Sequence, residues 1–393
     1  MKVLKSKWKN AAESPVIFMI DDLANKYIKL NDSEKNMVGC DWGAKAFEEN
    51  SFYSILKKEL LDRFPHLKVT MFLVVGRREP IIEKGHNFYS DSIDANEKIR
   101  NFIKMLSNNE RIELAYHGYT HGKHHGNDIY AFKEEWETFK NLEEAVKEIK
   151  KGKELYEKVT GNKFSGGKYC GYKYLDFSDE SIIKSDFLWW CRHWDGNLFF
   201  SKNDKFSFDL EEFSGVVDIP STIDGSFYSI KNYKKIFTKK YLKSLYLLLK
   251  NKMTIESQIK YLINNNLVLS IQEHTAPYRV DDRIQYPNII SDKENLVYIL
   301  NYLKSFNLWY ATCGEVANYY KTYKYTTLEQ KNDKIIVKCE EEVNGQELTV
   351  LLSDIDDNVN LSYDGKKLEK IKCGKNKYYV NLKVEDGRVY SLI

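Results

Sequence analysis

An α/β architecture followed by a small all-β module is the fold class that the sequence predicts, and two observations predict it. From Pro15 to about Trp309, short apolar runs alternate with longer stretches of helical period, as in parallel strands joined by crossover helices in a barrel or sheet. After about Tyr325 the pattern changes to short runs separated by the turn-forming pairs Asn344-Gly345, Asp364-Gly365 and Asp386-Gly387. The chain has 393 residues, long for one domain. We therefore expect a large domain over 1–325 and a small β-sandwich-like accessory domain over 326–393.

The expected strands of the large domain are Val16–Ile20, Val69–Val75, Ile112–Tyr116, Val216–Ile219 and Leu267–Ile271, each a short apolar run. Helical periods cover Ser51–Phe64, Ala95–Asn108, Lys133–Thr160, Lys239–Asn264 and Lys293–Phe306. The longest ends at Gly161, which suits the left-handed conformation past a helix C-terminus. In the small module the strands are Lys334–Cys339, Leu348–Leu352, Val359–Tyr363, Tyr378–Val384 and Val389–Ile393.

Composition narrows the function classes. Hydrophobic residues at 42% and charged residues at 30% describe a globular chain rather than a disordered or fibrous one. The net charge of +3 from 60 basic and 57 acidic residues gives no electrostatic case for nucleic acid. No stretch reaches the length of a membrane span, and the first residues lack the apolar run of a signal peptide. The cysteines at 40, 170, 191, 313, 339 and 373 form no paired spacing and read as reduced thiols. Together these point to the cytoplasm. The 28 Tyr, 20 Phe and 7 Trp supply rings that can stack on sugar faces as well as fill a core.

Three expected strands run into polar clusters: VIFMI into Asp21-Asp22, IELAY into His117-Gly-Tyr-Thr-His121, and LVLSI into Gln272-Glu273-His274. In parallel α/β folds the carboxyl ends of the strands share one face, where sites are built. Two adjacent carboxylates there repel each other and lose hydration, so they call for a cation. A divalent metal would supply it, and two His with one carboxylate form an open ligand set for catalytic zinc.

These residues resemble the first, second and fifth motifs of the polysaccharide deacetylases, the NodB-homology group of carbohydrate esterase family 4, over about residues 14 to 320. The resemblance implies a distorted (β/α) barrel with fewer than eight strands and hydrolysis of N- or O-linked acetyl groups on a saccharide or glycan precursor. It implies Asp21 as general base, Asp22, His117 and His121 as ligands of one divalent metal, with zinc expected and cobalt, nickel or manganese as alternatives, and His274 as general acid. In the third motif, Gly167-Lys168-Tyr169-Cys170-Gly171-Tyr172 stands where the family has an arginine followed by a proline. Lys168 keeps the charge without the planar fork. Trp189-Trp190-Cys191-Arg192-His193-Trp194-Asp195 answers to the aromatic fourth motif. Lys168, Tyr169, Tyr172 and Trp194 are thus candidate substrate contacts, Tyr169 through its backbone N–H at the oxyanion.

Leu23 replaces the family's glycine after the aspartate pair, and Gln272-Glu273 delay the last histidine, so the chain reads as a divergent branch. The alternatives are a metal-dependent amidohydrolase acting on a non-sugar amide, or a non-catalytic carbohydrate-binding protein on the same scaffold. His66, His86, His124 and His125 read as structural or solvated. Asp41-Trp42-Gly43 reads as packing or a turn.

Overall fold

The run Val16–Ile20 is apolar without alternation because both of its faces are covered, and all five residues are fully buried. It lies in an interior strand of a large, mostly parallel sheet. The computed structural model describes residues 2–28, 51–83, 86–124, 132–193, 208–226, 254–275, 287–355 and 358–393. In chain order the sheet takes β1 (Ser14–Leu23), β2 (Val69–Leu73), β3 (Ile112–Tyr116), β4 (Gly166–Lys168), β5 (Trp189–Cys191), β6 (Glu211–Phe213), β7 (Val216–Asp218), β8 (Ile223–Asp224) and β9 (Leu269–His274). Their spatial order is β6-β7-β5-β4-β3-β2-β1-β9-β8. Only β6 against β7 is antiparallel in that path.

Beyond β7 a single segment bonds both to β5 with the chain just past it and to β9. Ile219 N–H donates to the Trp190 carbonyl at 3.0 Å and Ser221 N–H to that of His193 at 3.3 Å, while Thr222 N–H donates to Ser270 at 3.1 Å. β4 approaches its neighbours closely because it is glycine. A Cβ on Gly167 would stand 2.4 Å from the Tyr116 carbonyl oxygen and 2.4 Å from the Trp190 ring.

The helical periods appear with shifted ends. Ser51–Phe64 is a short α-turn, Phe52–Ile55, continued by a π-helical turn, Leu56–Leu61. Ala95–Asn108 is Glu97–Ser107, and Lys293–Phe306 is Ile289–Leu303. The expected helix Lys133–Thr160 is divided: Glu135–Thr138 stops at Phe139, whose backbone is extended, and Leu142–Thr160 begins afresh where the Asn141 side chain accepts from Glu144 N–H. Gly161 does end it, at φ +79°. Of Lys239–Asn264, Ile255–Asn264 is helical and the part before Thr254 lies outside the described residues. No helix among the described residues is long and apolar enough to cross a membrane.

The chain divides into two compact units at other positions than 325/326. One unit is Val16–Ser305 with Tyr310–Gly314; the other is Met1–Pro15, Phe306–Trp309 and Glu315–Ile393. The N-terminal segment joins the second unit because Lys2–Lys5 pairs antiparallel with Glu347–Ser353. Helix Cys313–Tyr325 contributes there too: Tyr319 lies in that unit's core and donates its hydroxyl to the Ser6 carbonyl at 3.0 Å. The β-structure of this unit comprises a sheet of Lys2–Lys5, Glu347–Ser353, Lys377–Lys383 and Ile371–Gly374, and a second of Thr326–Lys331, Lys334–Cys339, Val389–Leu392, Leu361–Tyr363 and Lys366–Lys367. Leu348, Val350 and Leu352, two residues apart, turn one face into a core shared with Ile335, Val337 and Val380.

Candidate active site

Parallel strands put their carboxyl ends on one side, so Asp21 and Asp22 at the end of β1, His117 just past β3, Lys168 ending β4 and His274 ending β9 are gathered at one edge of the sheet. His274 is register-paired with Asp21. The pairing of β1 with β2 shifts between Ile20 and Leu23, and Asp22 takes φ +64° inside that irregularity. The left-handed step, tolerated by Asp, separates the errands of two adjacent carboxylates. Asp21 turns to Lys168, whose Nζ lies 3.0 and 3.2 Å from its two oxygens. Asp22 turns to the histidines, with Oδ1 2.8 Å from His121 Nε2 and 3.6 Å from His117 Nε2.

The loop carrying the histidines is shaped by a residue that the sequence did not advertise. Glu135, 1% exposed, accepts the backbone N–H groups of Tyr119, Thr120 and His121 at 2.8, 2.6 and 2.8 Å. Gly118, at φ +84°, is required beside it: a Cβ there would stand 2.6 Å from Glu135 Oε2. Glu134 brings Oε2 to 3.3 Å from His121 Nδ1. His117 Nδ1 faces the Lys168 carbonyl at 3.2 Å, which makes Nδ1–H the donor and leaves Nε2 as the free lone pair. The donor set suits a cation: two imidazole Nε2 atoms and a carboxylate oxygen converge, with outer partners on the other ring nitrogens. His117, His121 and Cys170 also bring ligand atoms within 4.8 Å of one another. The Cys170 thiol donates to the His117 carbonyl at 3.2 Å, whereas Asp22 meets both Nε2 atoms, which favours Asp22 as third donor.

No family model matches the chain, and no curated protein does. Among solved structures it is similar to a protein described as a polysaccharide deacetylase from Mycobacterium smegmatis, at 15% identity over 83% of this chain and 96% of that one, with TM-score 0.45. It is similar also to a carbohydrate esterase family 4 pseudoenzyme from Bacillus anthracis, at 13% identity over 77% and 65%, TM-score 0.37. An allantoinase matches at 13% identity over 80% and 92%, TM-score 0.45. Likeness at this level leaves the chemistry to be argued from the side chains.

Lys168 is not disposed to meet a substrate. It is fully buried, bonded to both Asp21 oxygens and to Gln272 Oε1, with the rings of Phe72 and Tyr172 at 4.5 and 5.0 Å. It serves as the counter-charge of Asp21 alone, whereas Asp22 turns to the histidines. Burial alone would lower the Lys168 ammonium, but Asp21, with Tyr172, outweighs it and the net shift is upward. Tyr169 is likewise fully buried: its hydroxyl donates to Asp179 at 2.7 Å and its ring packs on Trp136 and Trp190. Tyr172 directs its hydroxyl to Ser221 at 3.1 Å and Gln272 at 3.4 Å. Trp194 and Asp41-Trp42-Gly43 lie outside the described residues.

His274 Nδ1–H donates to the Pro287 carbonyl at 2.8 Å, which turns Nε2 toward Asp21 Oδ2, 4.0 Å away. Burial lowers its pKa, against an upward pull from Asp21 and Asp22. Farther along the rim, Arg192 bridges Asp218 at 2.7 Å and Asp179 at 2.9 Å; burial lifts Asp218 to about 6 against the pull of Arg192.

Proposed function

We propose that the chain is a metal-dependent hydrolase that removes acetyl groups from a carbohydrate, working on a sheet closed into a distorted barrel through residues 219–222. The observation that carries this reading is the division of labour at one strand edge. His117 and His121 converge on Asp22, while Asp21, held apart by Lys168, faces His274.

Asp22, His117 and His121 hold one divalent ion, and zinc suits two imidazoles with one carboxylate. When bound, such an ion acidifies water and polarises a carbonyl. The rest falls to the chain. Each carboxylate oxygen has two acceptor sites, so Asp21 keeps capacity to take the proton of an attacking water while Lys168 fixes its plane. His274 delivers a proton from Nε2 to the leaving amine or alcohol; its Nδ1–H bond to Pro287 fixes the ring for that transfer. Asp21 and His274 are near enough to exchange the proton through one intervening atom.

The test is elemental analysis of the purified protein beside acetate release from a panel of N- and O-acetylated saccharides. We expect one zinc per chain and acetate from at least one sugar, with both lost together in His117→Ala and His121→Ala. Metal stoichiometry unchanged in those variants refutes the ligand set. Turnover of non-sugar amides alone refutes the carbohydrate assignment.

A further inference from the structure

We propose that Gln272 is a positioning residue: it pins the Lys168 ammonium so that a lysine can orient Asp21. The inference rests on Asp21 being the proton acceptor of the proposed function. An ammonium has three donors on a flexible stem and, unlike a guanidinium, cannot fix the plane of a carboxylate through two parallel bonds. Lys168 gives all it has to one carboxylate and one amide: Asp21 Oδ1 at 3.0 Å, Asp21 Oδ2 at 3.2 Å and Gln272 Oε1.

The amide is itself held. Its Nε2 donates to the Glu273 carbonyl at 2.7 Å, which commits the oxygen to the lysine, and the Tyr172 and Ser221 hydroxyls approach that oxygen at 3.4 and 3.5 Å. Gln272 is also locked by its neighbours in the sheet, opposite Met19 on one side and Asp224 on the other. Both side chains are fully buried, so water is no ready substitute for the lost acceptor. The two residues that lengthen the last motif before His274 thereby gain a reason: one of them completes the cage that the third motif lacks without an arginine.

The packing makes a specific compensation necessary. Lys168 Nζ lies 4.5 and 5.0 Å from the Phe72 and Tyr172 rings with Gln272 at its tip and no exposure, so the bulkier guanidinium should need residue 272 shortened. With the zinc-loaded full chain and the best acetylated sugar, Gln272→Met should keep the metal and hold KM within about 2-fold. Its kcat should fall roughly 10- to 100-fold, the size of a misplaced reacting group. Lys168→Arg should be as poor, and Lys168→Arg with Gln272→Ala should regain at least about 10-fold of kcat, as volume-conserving exchanges do in a core. Full kcat in Gln272→Met, or equal activity of the single and double arginine variants, overturns the proposal.

Melting curves supply a readout that needs no activity. The destabilisation by Lys168→Met and by Gln272→Met should be far from additive in the double variant, because residues sharing one buried network couple. A Gln272→Met that fails to fold while the double methionine variant folds counts as such coupling. If the parent protein releases no acetate, the proposed function falls and the melts alone judge Gln272; additive melts then overturn its role.

Discussion

Replacing Asp21 by Asn removes a proton acceptor and, at the same stroke, the counter-charge of a fully buried lysine. Lys168 then keeps a neutral amide oxygen and Gln272 as partners, with no exposure to water. Breaking a buried ion pair by removing one member costs about 3–5 kcal/mol. For a unit of this size that is on the order of 5–8 °C in Tm. The pH dependence has a definite sign. In the parent, Asp21 helps raise the folded-state pKa of Lys168, so its contribution is complete below the unfolded value and is lost as pH rises through the folded one. In the variant, burial is left to lower that pKa. The unfolded state then binds the extra proton, and the variant gains stability as pH rises toward about 10.4. Scanning calorimetry of parent and variant at pH 7 and pH 9.5 should show the gap narrowing at the higher pH. Lys168→Met in the Asp21→Asn background should recover most of the loss, since an apolar replacement removes the orphaned charge. Metal content should stay at one per chain while turnover falls ~10²- to 10⁴-fold. A variant that melts with the parent at pH 7, or a gap that widens with pH, refutes the argument that Lys168 depends on Asp21.

Asp22→Asn should lose metal and acetate release in parallel, with excess zinc restoring part of both; retention of the metal would transfer the ligand role to Cys170. Glu135→Gln leaves three backbone N–H groups competing for one amide oxygen, at about 1–3 kcal/mol. It should also weaken zinc roughly 10- to 100-fold in a competitive chelator titration, as loss of an outer partner does; an unchanged Kd would show that the loop holds its shape without it. A fragment of residues 16–314 should unfold cooperatively in urea. One of residues 1–325, which keeps Lys2–Lys5 without Glu347–Ser353, should aggregate; the opposite ranking would contradict the division into units.

The part of the site visible in the sequence is the part written at strand ends. Asp21-Asp22, His117 with His121, and His274 each follow an apolar run, and the parallel sheet brings them together by geometry alone. What supports them left no such mark. Glu135 follows His121 by fourteen positions in a segment without a motif, and its work is to accept backbone N–H groups, which any sequence supplies. Lys168 was legible only by resemblance, and as a substrate contact; its burial in a glycine-rich strand against Asp21 is what the sequence did not mark. Gln272 looks like an interruption between a strand and its histidine until the strand is seen to run on through it. The unit boundary was misplaced for a kindred reason. Change of period marks where β-structure begins, whereas the pairing of Lys2–Lys5 with Glu347–Ser353 is non-local and changes no local pattern.

That pairing bears on the order in which the protein takes shape during synthesis. Lys2–Lys5 leaves the ribosome early, but the strand it joins is translated roughly 340 residues later. At about 5–20 residues per second the early segment waits roughly 20–70 s for its partner. Val16–Gly314 is translated in full before Glu347 is reached, so the unit built mostly from it has its residues first. The unit with the candidate site can therefore mature while the other has a strand in hand and nothing to close it against, an interval in which a holding chaperone would find its substrate in the first fifteen residues.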